Sequence, residues 1–167
     1  KTALIIGGTG GIGSAACVQL AKDGFDVAIH YFKNKTKAGI LKKQLEKIGR
    51  KAVVVSGDIV SVPHVQQMKD KSIRTVGNIS VIVNCSTIPV RNIQFSDLEW
   101  EDMLAHYDSN IRGSFNLLST FVPIWEKEQF GKFVALTTLY TEQPKSELLS
   151  YITGKTALNG FVKALAF

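Results

Sequence analysis

Two groups of residues, near opposite ends of the 167-residue chain, have types and spacing suited to chemistry. In the second group, Tyr151 and Lys155 stand four positions apart, so a helix would place the phenol and the ammonium side by side. A free phenol has a pKa of about 10, and a cation held close to it stabilises the phenolate, which makes it a usable acid at neutral pH. This spacing also arises by chance in helices, so it indicates proton transfer only together with the other group.

The first group is the glycine-rich segment 7–13, Gly-Gly-Thr-Gly-Gly-Ile-Gly, which follows an apolar run. Glycines allow a sharp turn and let backbone N–H groups approach phosphate oxygens, while the following helix points its N-terminus at the anion. The segment fits G-x-G-x-x-G starting at Gly8 and G-x-x-x-G-x-G starting at Gly7, and both interpretations stay open. A tight structural turn is the alternative, but the flanking strand and helix favour a dinucleotide site.

The end of the second predicted strand bears on the choice of dinucleotide. Enzymes that use NAD place a carboxylate about 20 residues after the glycines to bind the ribose. Segment 30–37 contains no carboxylate and instead has Lys33, Lys35 and Lys37. Lysines attract the 2′-phosphate of NADP, so the sequence favours NADP, with NAD less favoured; lysines that only solvate a helix end are the alternative.

Length and composition describe one ordinary globular domain, with 45% hydrophobic and 20% charged residues. The two cysteines lack metal or redox spacing and the three histidines are scattered, so we expect no metal site and a reducing, cytoplasmic compartment. The net charge of +6 is not concentrated in a basic tract interleaved with aromatics, which argues against a nucleic-acid partner. No apolar run approaches the roughly 20 residues of a membrane span, so we expect no membrane partner. A phosphate-bearing cofactor or an acidic carrier protein would suit the positive charge.

Short apolar runs alternate with helical patterns along the chain. The predicted strands are 2–6, 26–31, 52–56, 79–84 and 132–137, and the predicted helices are 12–22, 35–48, 62–75, 97–125 and 151–167. This order predicts an α/β fold, a doubly wound parallel sheet in a Rossmann-type three-layer sandwich. Gly24 and Gly49 are expected to end helices in the left-handed conformation, and segment 96–99, Ser-Asp-Leu-Glu, to open the fourth helix as a capping box.

The two ends of the chain raise a question of completeness. The first residue is Lys rather than Met, and a sheet ending at 132–137 would leave an apolar edge strand bare. We therefore expect residues 1–167 to be a single NAD(P)-binding Rossmann domain that is C-terminally incomplete and lacks its C-terminal strands.

Taken together, these motifs resemble the short-chain dehydrogenase/reductase family, and within it the 3-oxoacyl-(acyl-carrier-protein) reductases. Segment 7–13 is similar to the family's glycine motif, and segment 83–87, Val-Asn-Cys-Ser-Thr, to its N-N-A-G segment. Asp58 stands at the position of its adenine-contacting Asp, Asn110 at that of its helix-four Asn, and Thr138 at that of its catalytic Ser. The resemblance covers essentially the whole chain.

The resemblance implies an NADP-dependent reduction of a ketone to a secondary alcohol. It assigns Tyr151 as proton donor, Lys155 as the cation beside it, Thr138 as the hydrogen-bond partner of the substrate oxygen, and Asn110 as the holder of a relay water. It implies cofactor contacts at Gly7, Thr9, Gly10, Gly11, Ile12, Gly13, Tyr31, Lys33, Asp58, Ile59, Asn84, Cys85, Ser86, Tyr151 and Lys155. It also implies a small-molecule or carrier-bound carbonyl substrate and a homodimer or homotetramer.

The sequence departs from the family's pattern at Ile6, Cys85, Thr87 and Thr138. Because Ile6 and Cys85 end strands predicted to be neighbours, we expect a side-chain link between them to be lost or replaced by packing. These departures keep a second hypothesis open, a non-enzymatic sensor or scaffold that binds a dinucleotide. The retained Tyr151, Lys155 and Asn110 favour the enzyme, because a protein that only binds a dinucleotide does not need all three.

Overall fold

Five short strands form one parallel sheet in the computed structural model, which describes residues 1–166. The strands are β1 Thr2–Ile6, β2 Asp26–Tyr31, β3 Ala52–Ser56, β4 Val81–Asn84 and β5 Lys132–Ala135. Their order across the sheet is β3-β2-β1-β4-β5, and every neighbouring pair is parallel. The predicted doubly wound parallel sheet is therefore confirmed.

Helices cover both faces of this sheet. They are α1 Gly11–Lys22, α2 Lys35–Lys47, α3 Val62–Val76, α4 Trp100–Tyr107, α5 Gly113–Glu128 and α6 Leu149–Leu165. The single helix predicted over 97–125 is wrong, because a π-helical turn, Asp108–Arg112, separates α4 from α5. The last helix starts at Leu149, two residues before its predicted start, and Phe167, its predicted last residue, lies outside the described residues.

The capping box of α4 lies three residues later than predicted. Segment 96–99 does not form it, because Phe95–Asp97 makes a 3-10 turn after which the chain is extended. Instead Glu99 and Asp102 cap each other, and the Glu99 N–H donates to Asp102 Oδ2 at 3.3 Å. The predicted helix ends are confirmed: Gly24 and Gly49 have φ of +88° and +85°.

The apolar core consists of two layers, one on each face of the sheet. Leu4 and Ile6 face a layer completed by α3 and α5, whereas Ile5 faces one completed by α1 and α2. Cys85 packs against the second layer, so it lies on the opposite face from Ile6. A side-chain link between these two positions is therefore lost, as expected, and a backbone bond from the Cys85 N–H to the Ile6 carbonyl at 3.0 Å joins them instead.

The order of the strands reverses between β1 and β4, which lie side by side at the centre of the sheet. In open α/β sheets, ligands bind in the crevice beyond the carboxyl ends of the strands at such a reversal. Among residues 1–166, no helix combines the length and apolarity needed to cross a lipid bilayer.

Candidate active site

The turn after β1 has a backbone that requires glycine at both ends. Gly7 has φ of +70°, and a Cβ there would lie 2.9 Å from the Cys85 carbonyl oxygen. A Cβ on Gly13 would lie 2.3 Å from the Gly7 carbonyl oxygen, so α1 packs directly on the turn. The Gly10 N–H closes the turn by donating to the same oxygen at 2.9 Å. These contacts favour the G-x-x-x-G-x-G interpretation, which begins at Gly7 and ends at Gly13.

The outer side of the same turn is open. Gly10, Gly11 and Ile12 are exposed, Thr9 is half-buried, and a Cβ on Gly11 would meet no atom within 4 Å. The helix α1, as the structure describes it, has no acidic residue in its first turn and no side-chain cap, so no side chain of its own neutralises the positive end of its dipole. This open cradle of donors fits the pyrophosphate of a dinucleotide.

Positive charge collects at the start of α2, beside this turn. The side chain of Asn34 caps the helix by accepting from the Lys37 N–H at 2.9 Å. Lys33, Lys35 and Lys37 are exposed, and the Lys33 ammonium lies 5.7 Å from the centre of the Phe32 ring. Cations at a helix N-terminus oppose the helix dipole, so these lysines do not serve the stability of α2.

The segment that follows β3 packs against α5. The Asp58 carboxylate accepts from the Val60 N–H at 2.9 Å and stays half-exposed at the crevice. Ile59 is buried, and its side chain occupies the space that a Cβ on Gly113 would need, 2.5 Å away. The Asn116 amide donates to the Ile59 carbonyl at 3.0 Å. Of the two predicted cofactor contacts here, Asp58 faces the crevice and Ile59 packs mainly in the core.

The segment after β4 is organised by a buried asparagine. Asn84 is buried, and its Oδ1 accepts from the Ser86 N–H at 3.1 Å and from the Ser86 hydroxyl at 2.6 Å. Its Nδ2 donates to the Ser114 hydroxyl on α5 at 3.2 Å. Asn84 therefore fixes the conformation of this loop from its buried side. Tyr31, another predicted cofactor contact, packs partly against the layer of α1 and α2.

Tyr151 and Lys155 lie on α6 where this helix crosses the carboxyl edge of the sheet. Lys155 is 4% exposed and its Nζ donates to the Leu136 carbonyl, just beyond β5, at 2.8 Å. Burial lowers the pKa of Lys155, because desolvation disfavours the ammonium, and the charge of Cys85 acts in the opposite direction. Tyr151 is half-buried, and the His106 ring packs edge-on against it with ring centres 5.8 Å apart.

Asn110 lies in the π-helical turn, directly against α6. It is buried, and its Nδ2 donates to the His106 carbonyl at 2.8 Å. A Cβ on Gly154 would lie 3.1 Å from Asn110 Nδ2 and 3.1 Å from His106 Cβ. The π-helical turn and α6 therefore interlock at Gly154, which places Asn110 beside the residue that precedes Lys155.

Thr138 follows β5, two residues beyond the carbonyl that Lys155 contacts. Its backbone is extended and its hydroxyl oxygen accepts from the Tyr140 N–H at 3.3 Å, which caps the 3-10 turn Leu139–Thr141. An oxygen that accepts this bond keeps its own hydrogen for donation. The structure thus brings Thr138 to the same edge as Lys155 with one donor available.

Three residues that support this region are not predicted from the sequence: His30, His106 and Gly154. His106 precedes Asn110 by one helical turn, and that spacing could have indicated it. His30 and Gly154 carry no comparable signal, because their roles depend on contacts with distant segments. Among residues 1–166, no cluster of histidine, cysteine or acidic side chains could hold a metal ion.

Comparison with known proteins identifies the family. Residues 1–167 match the short chain dehydrogenase family. The chain belongs to this family. Over 168 residues it is 26% identical to the 3-oxoacyl-(acyl-carrier-protein) reductase of Staphylococcus epidermidis, covering 99% of this chain and 68% of the relative. Over 166 residues it is 28% identical to the acetoacetyl-CoA reductase of Cupriavidus necator, covering 99% of this chain and 67% of the relative.

Solved structures with the same fold also match the chain. A 7α-hydroxysteroid dehydrogenase complexed with NADH and 7-oxoglycochenodeoxycholic acid superposes with a TM-score of 0.92 at 25% identity, covering 100% of this chain and 64% of that one. A blue fluorescent protein from a metagenomic library, complexed with NADPH, superposes with a TM-score of 0.86 at 25% identity, covering 99% of this chain and 67% of that one. The chain therefore spans about two thirds of these relatives. The predicted family, fold and class of NAD(P)-dependent oxidoreductase are confirmed.

Proposed function

We propose that the protein uses NADPH to reduce a ketone to a secondary alcohol, with Tyr151 as the proton donor. The observation that carries this proposal is the joint position of Tyr151, Lys155 and Asn110 at the carboxyl edge of the sheet that also holds the open glycine turn. A protein that only binds a dinucleotide has no need of a buried ammonium one helical turn from a phenol.

The residues at this edge fit a dinucleotide. The N–H groups of Gly10, Gly11 and Ile12 would bind the pyrophosphate, and Asp58 would accept from the adenine amino group. Lys33 and its neighbouring lysines would bind the 2′-phosphate. When bound, NADPH supplies a hydride to the carbonyl carbon of the substrate.

Proton transfer then depends on groups of the chain itself. Tyr151 donates its proton to the carbonyl oxygen as negative charge develops there, and the ammonium of Lys155 stabilises the phenolate that remains. Thr138 donates its free hydroxyl hydrogen to the same substrate oxygen. Asn110 holds a water through which solvent returns a proton to Tyr151.

We assign the substrate to the class of β-keto acyl thioesters. The two curated relatives are named for reduction of a 3-oxoacyl carrier protein and of acetoacetyl-CoA. The net charge of +6 supports an acidic carrier protein or a phosphate-bearing thioester as the substrate.

The test is NADPH oxidation by the full-length protein with acetoacetyl-CoA or a β-keto ester as substrate. Tyr151→Phe should lower the rate by about 10²–10⁴-fold, the usual effect of losing a general acid. Its dissociation constant for NADPH should stay close to the wild-type value, because only the hydroxyl is lost. Tyr107→Phe, an exposed tyrosine on α4, is the matched control and should keep full activity. A Tyr151→Phe variant as fast as the wild type would contradict the proposed acid.

A dinucleotide sensor is the second candidate function. Lys155 already donates to the Leu136 carbonyl, which gives this ammonium a structural role without any substrate. Binding of NADPH by the wild type without reduction of any carbonyl in a broad panel would favour the sensor.

A further inference from the structure

His30 lies at the end of β2 with both ring nitrogens hydrogen-bonded to loops that follow other strands. Its Nδ1 accepts from the Gly7 N–H at 3.0 Å, and its Nε2 lies 2.8 Å from the Gly57 carbonyl oxygen. Its own backbone carbonyl accepts from the Gly8 N–H at 2.8 Å. The side chain is 4% exposed, so these bonds are shielded from water.

The hydrogen bonds determine the tautomer of the ring. An N–H can only donate and a carbonyl oxygen can only accept, so Nδ1 carries no proton and Nε2 carries one. A protonated ring would set an N–H against the Gly7 N–H. The neutral Nε2–H form is therefore the one that satisfies both partners.

The topology explains why one side chain has this position. In the order β3-β2-β1, the strands β1 and β3 are not neighbours, so no backbone ladder joins the loops that follow them. The middle strand β2 separates these loops, and His30 lies at its carboxyl end. Its imidazole bridges the glycine turn after β1 and the Gly57–Asp58 segment after β3.

We propose that His30 is a positioning residue for the dinucleotide site, holding the glycine turn and the Asp58 segment in the relative position that one ligand must span. This inference rests on the proposed function only in taking a nicotinamide dinucleotide as the ligand. His30 acts through its neighbours: the bond to the Gly7 N–H orients the peptide that enters the turn, and the Gly7 carbonyl accepts from Gly10 to close it.

Two substitutions separate this role from ordinary core packing. His30→Leu removes both bonds from the ring. His30→Asn keeps an acceptor at the position of Nδ1, since the amide oxygen is equally far along the side chain, but loses the link to Gly57. Val27→Ala, in a buried position on the same strand and remote from both loops, is the matched control for lost stability.

The experiment measures the dissociation constants of NADPH and NADH by titration calorimetry of the full-length protein, with the thermal midpoint of each variant recorded alongside. We expect His30→Leu to weaken binding of both dinucleotides by about tenfold or more, the scale of one broken buried hydrogen bond. His30→Asn should recover part of this loss. Val27→Ala should keep the wild-type affinity even where its thermal midpoint falls as far as that of His30→Leu.

A second measurement needs no ligand. Two-bond proton–nitrogen NMR correlations of the imidazole should show the Nε2–H tautomer in the wild type, and the Nδ1–H tautomer would overturn the inference. Equal dinucleotide affinity of the wild type and His30→Leu would overturn it too and leave the proposed function standing. A wild type that bound neither NADPH nor NADH would overturn both.

Discussion

Two buried histidines, His30 and His106, should lower the free energy of unfolding as the solution becomes more acidic. Burial lowers the pKa of each; for His30 the Gly57 carbonyl and the charge of Asp58 act in the opposite direction. For His106 the charge of Lys155 lowers the pKa further, and the charge of Asp102 opposes both effects. A free histidine has a pKa of about 6.5, so below that pH the unfolded chain binds protons that the folded chain does not.

The free energy of unfolding should therefore be at its full value above about pH 6.5 and should fall as the pH drops toward the folded pKa values. Urea unfolding of the full-length protein at pH 7.5 and pH 5.5 measures this difference. His30→Asn should show a smaller difference, because one of the two groups is gone. A wild-type protein that became more stable on acidification would contradict the lowered pKa values of both histidines.

The lysines at the start of α2 give a second prediction for individual residues. Replacing Lys33 and Lys37 by Gln should weaken NADPH binding by about tenfold, the effect of losing a charged hydrogen bond, and should leave NADH binding unchanged. Lys43 and Lys47, exposed near the other end of the same helix, provide a control pair with the same change in net charge. Isothermal titration of both dinucleotides tests this prediction. A wild type that bound NADH as tightly as NADPH, or more tightly, would contradict it and leave the lysines with no role beyond solvating the helix.

The sequence identifies the groups that could do chemistry but not the residues that hold them. Tyr151, Lys155 and Asn110 stand in spacings that a helix or a family pattern explains. Their supports are contacts across the fold, such as Gly154 against the π-helical turn or His30 between two loops. A tertiary contact of this kind leaves no periodic signal in the sequence, so it becomes visible only in the structure.

At the level of elements, the strands were the easiest part to predict. The bounds of β1, β2 and β3 agree with prediction, because strands buried on both faces are nearly continuous apolar runs. The break between α4 and α5 escaped prediction, because apolar residues continue at helical spacing on both sides of the π-helical turn. The polar residues Ser109 and Asn110, both buried within this turn, are the local sign of the break.

The contact between α6 and the π-helical turn predicts different effects for two glycines of the same helix. A Cβ on Gly154 would press on Asn110 and His106, whereas a Cβ on Gly160 would meet no atom within 4 Å. Gly160→Ala should raise the free energy of unfolding by about 0.5–1 kcal/mol, since alanine favours the helix.

Gly154→Ala should not raise the free energy of unfolding in this way, because the added methyl group would push α6 away from the π-helical turn. It should also lower kcat, because moving α6 shifts Tyr151 and Lys155 relative to Asn110. Urea unfolding and steady-state kinetics of the two variants test this pair. Equal stability and equal kcat for both would show that α6 tolerates a methyl group at this contact.

On the scale of the whole molecule, one face exposes several large apolar side chains to solvent. Along α4 and into α5, Trp100 is 70% exposed, Tyr107 51% and Phe115 58%, and they follow one another at helical spacing. A cavity of about 280 Å³ between α4 and α6 opens beside them, lined in part by Trp100 and Met103. Contiguous apolar surface of this kind marks an interaction site more often than a solvated one.

We expect this face to pair with its copy across a two-fold axis, so that the full-length protein is a homodimer or homotetramer. A two-fold contact uses the same residues on both subunits, so a single charge introduced there acts twice. Phe115→Glu should therefore shift the mass measured by light scattering at micromolar concentration to that of the monomer. Phe95→Glu is the control, because Phe95 is 80% exposed but lies in the 3-10 turn before α4, and this variant should keep the wild-type mass. A monomeric wild type at the same concentration would contradict the pairing and leave the apolar face without a partner of its own kind.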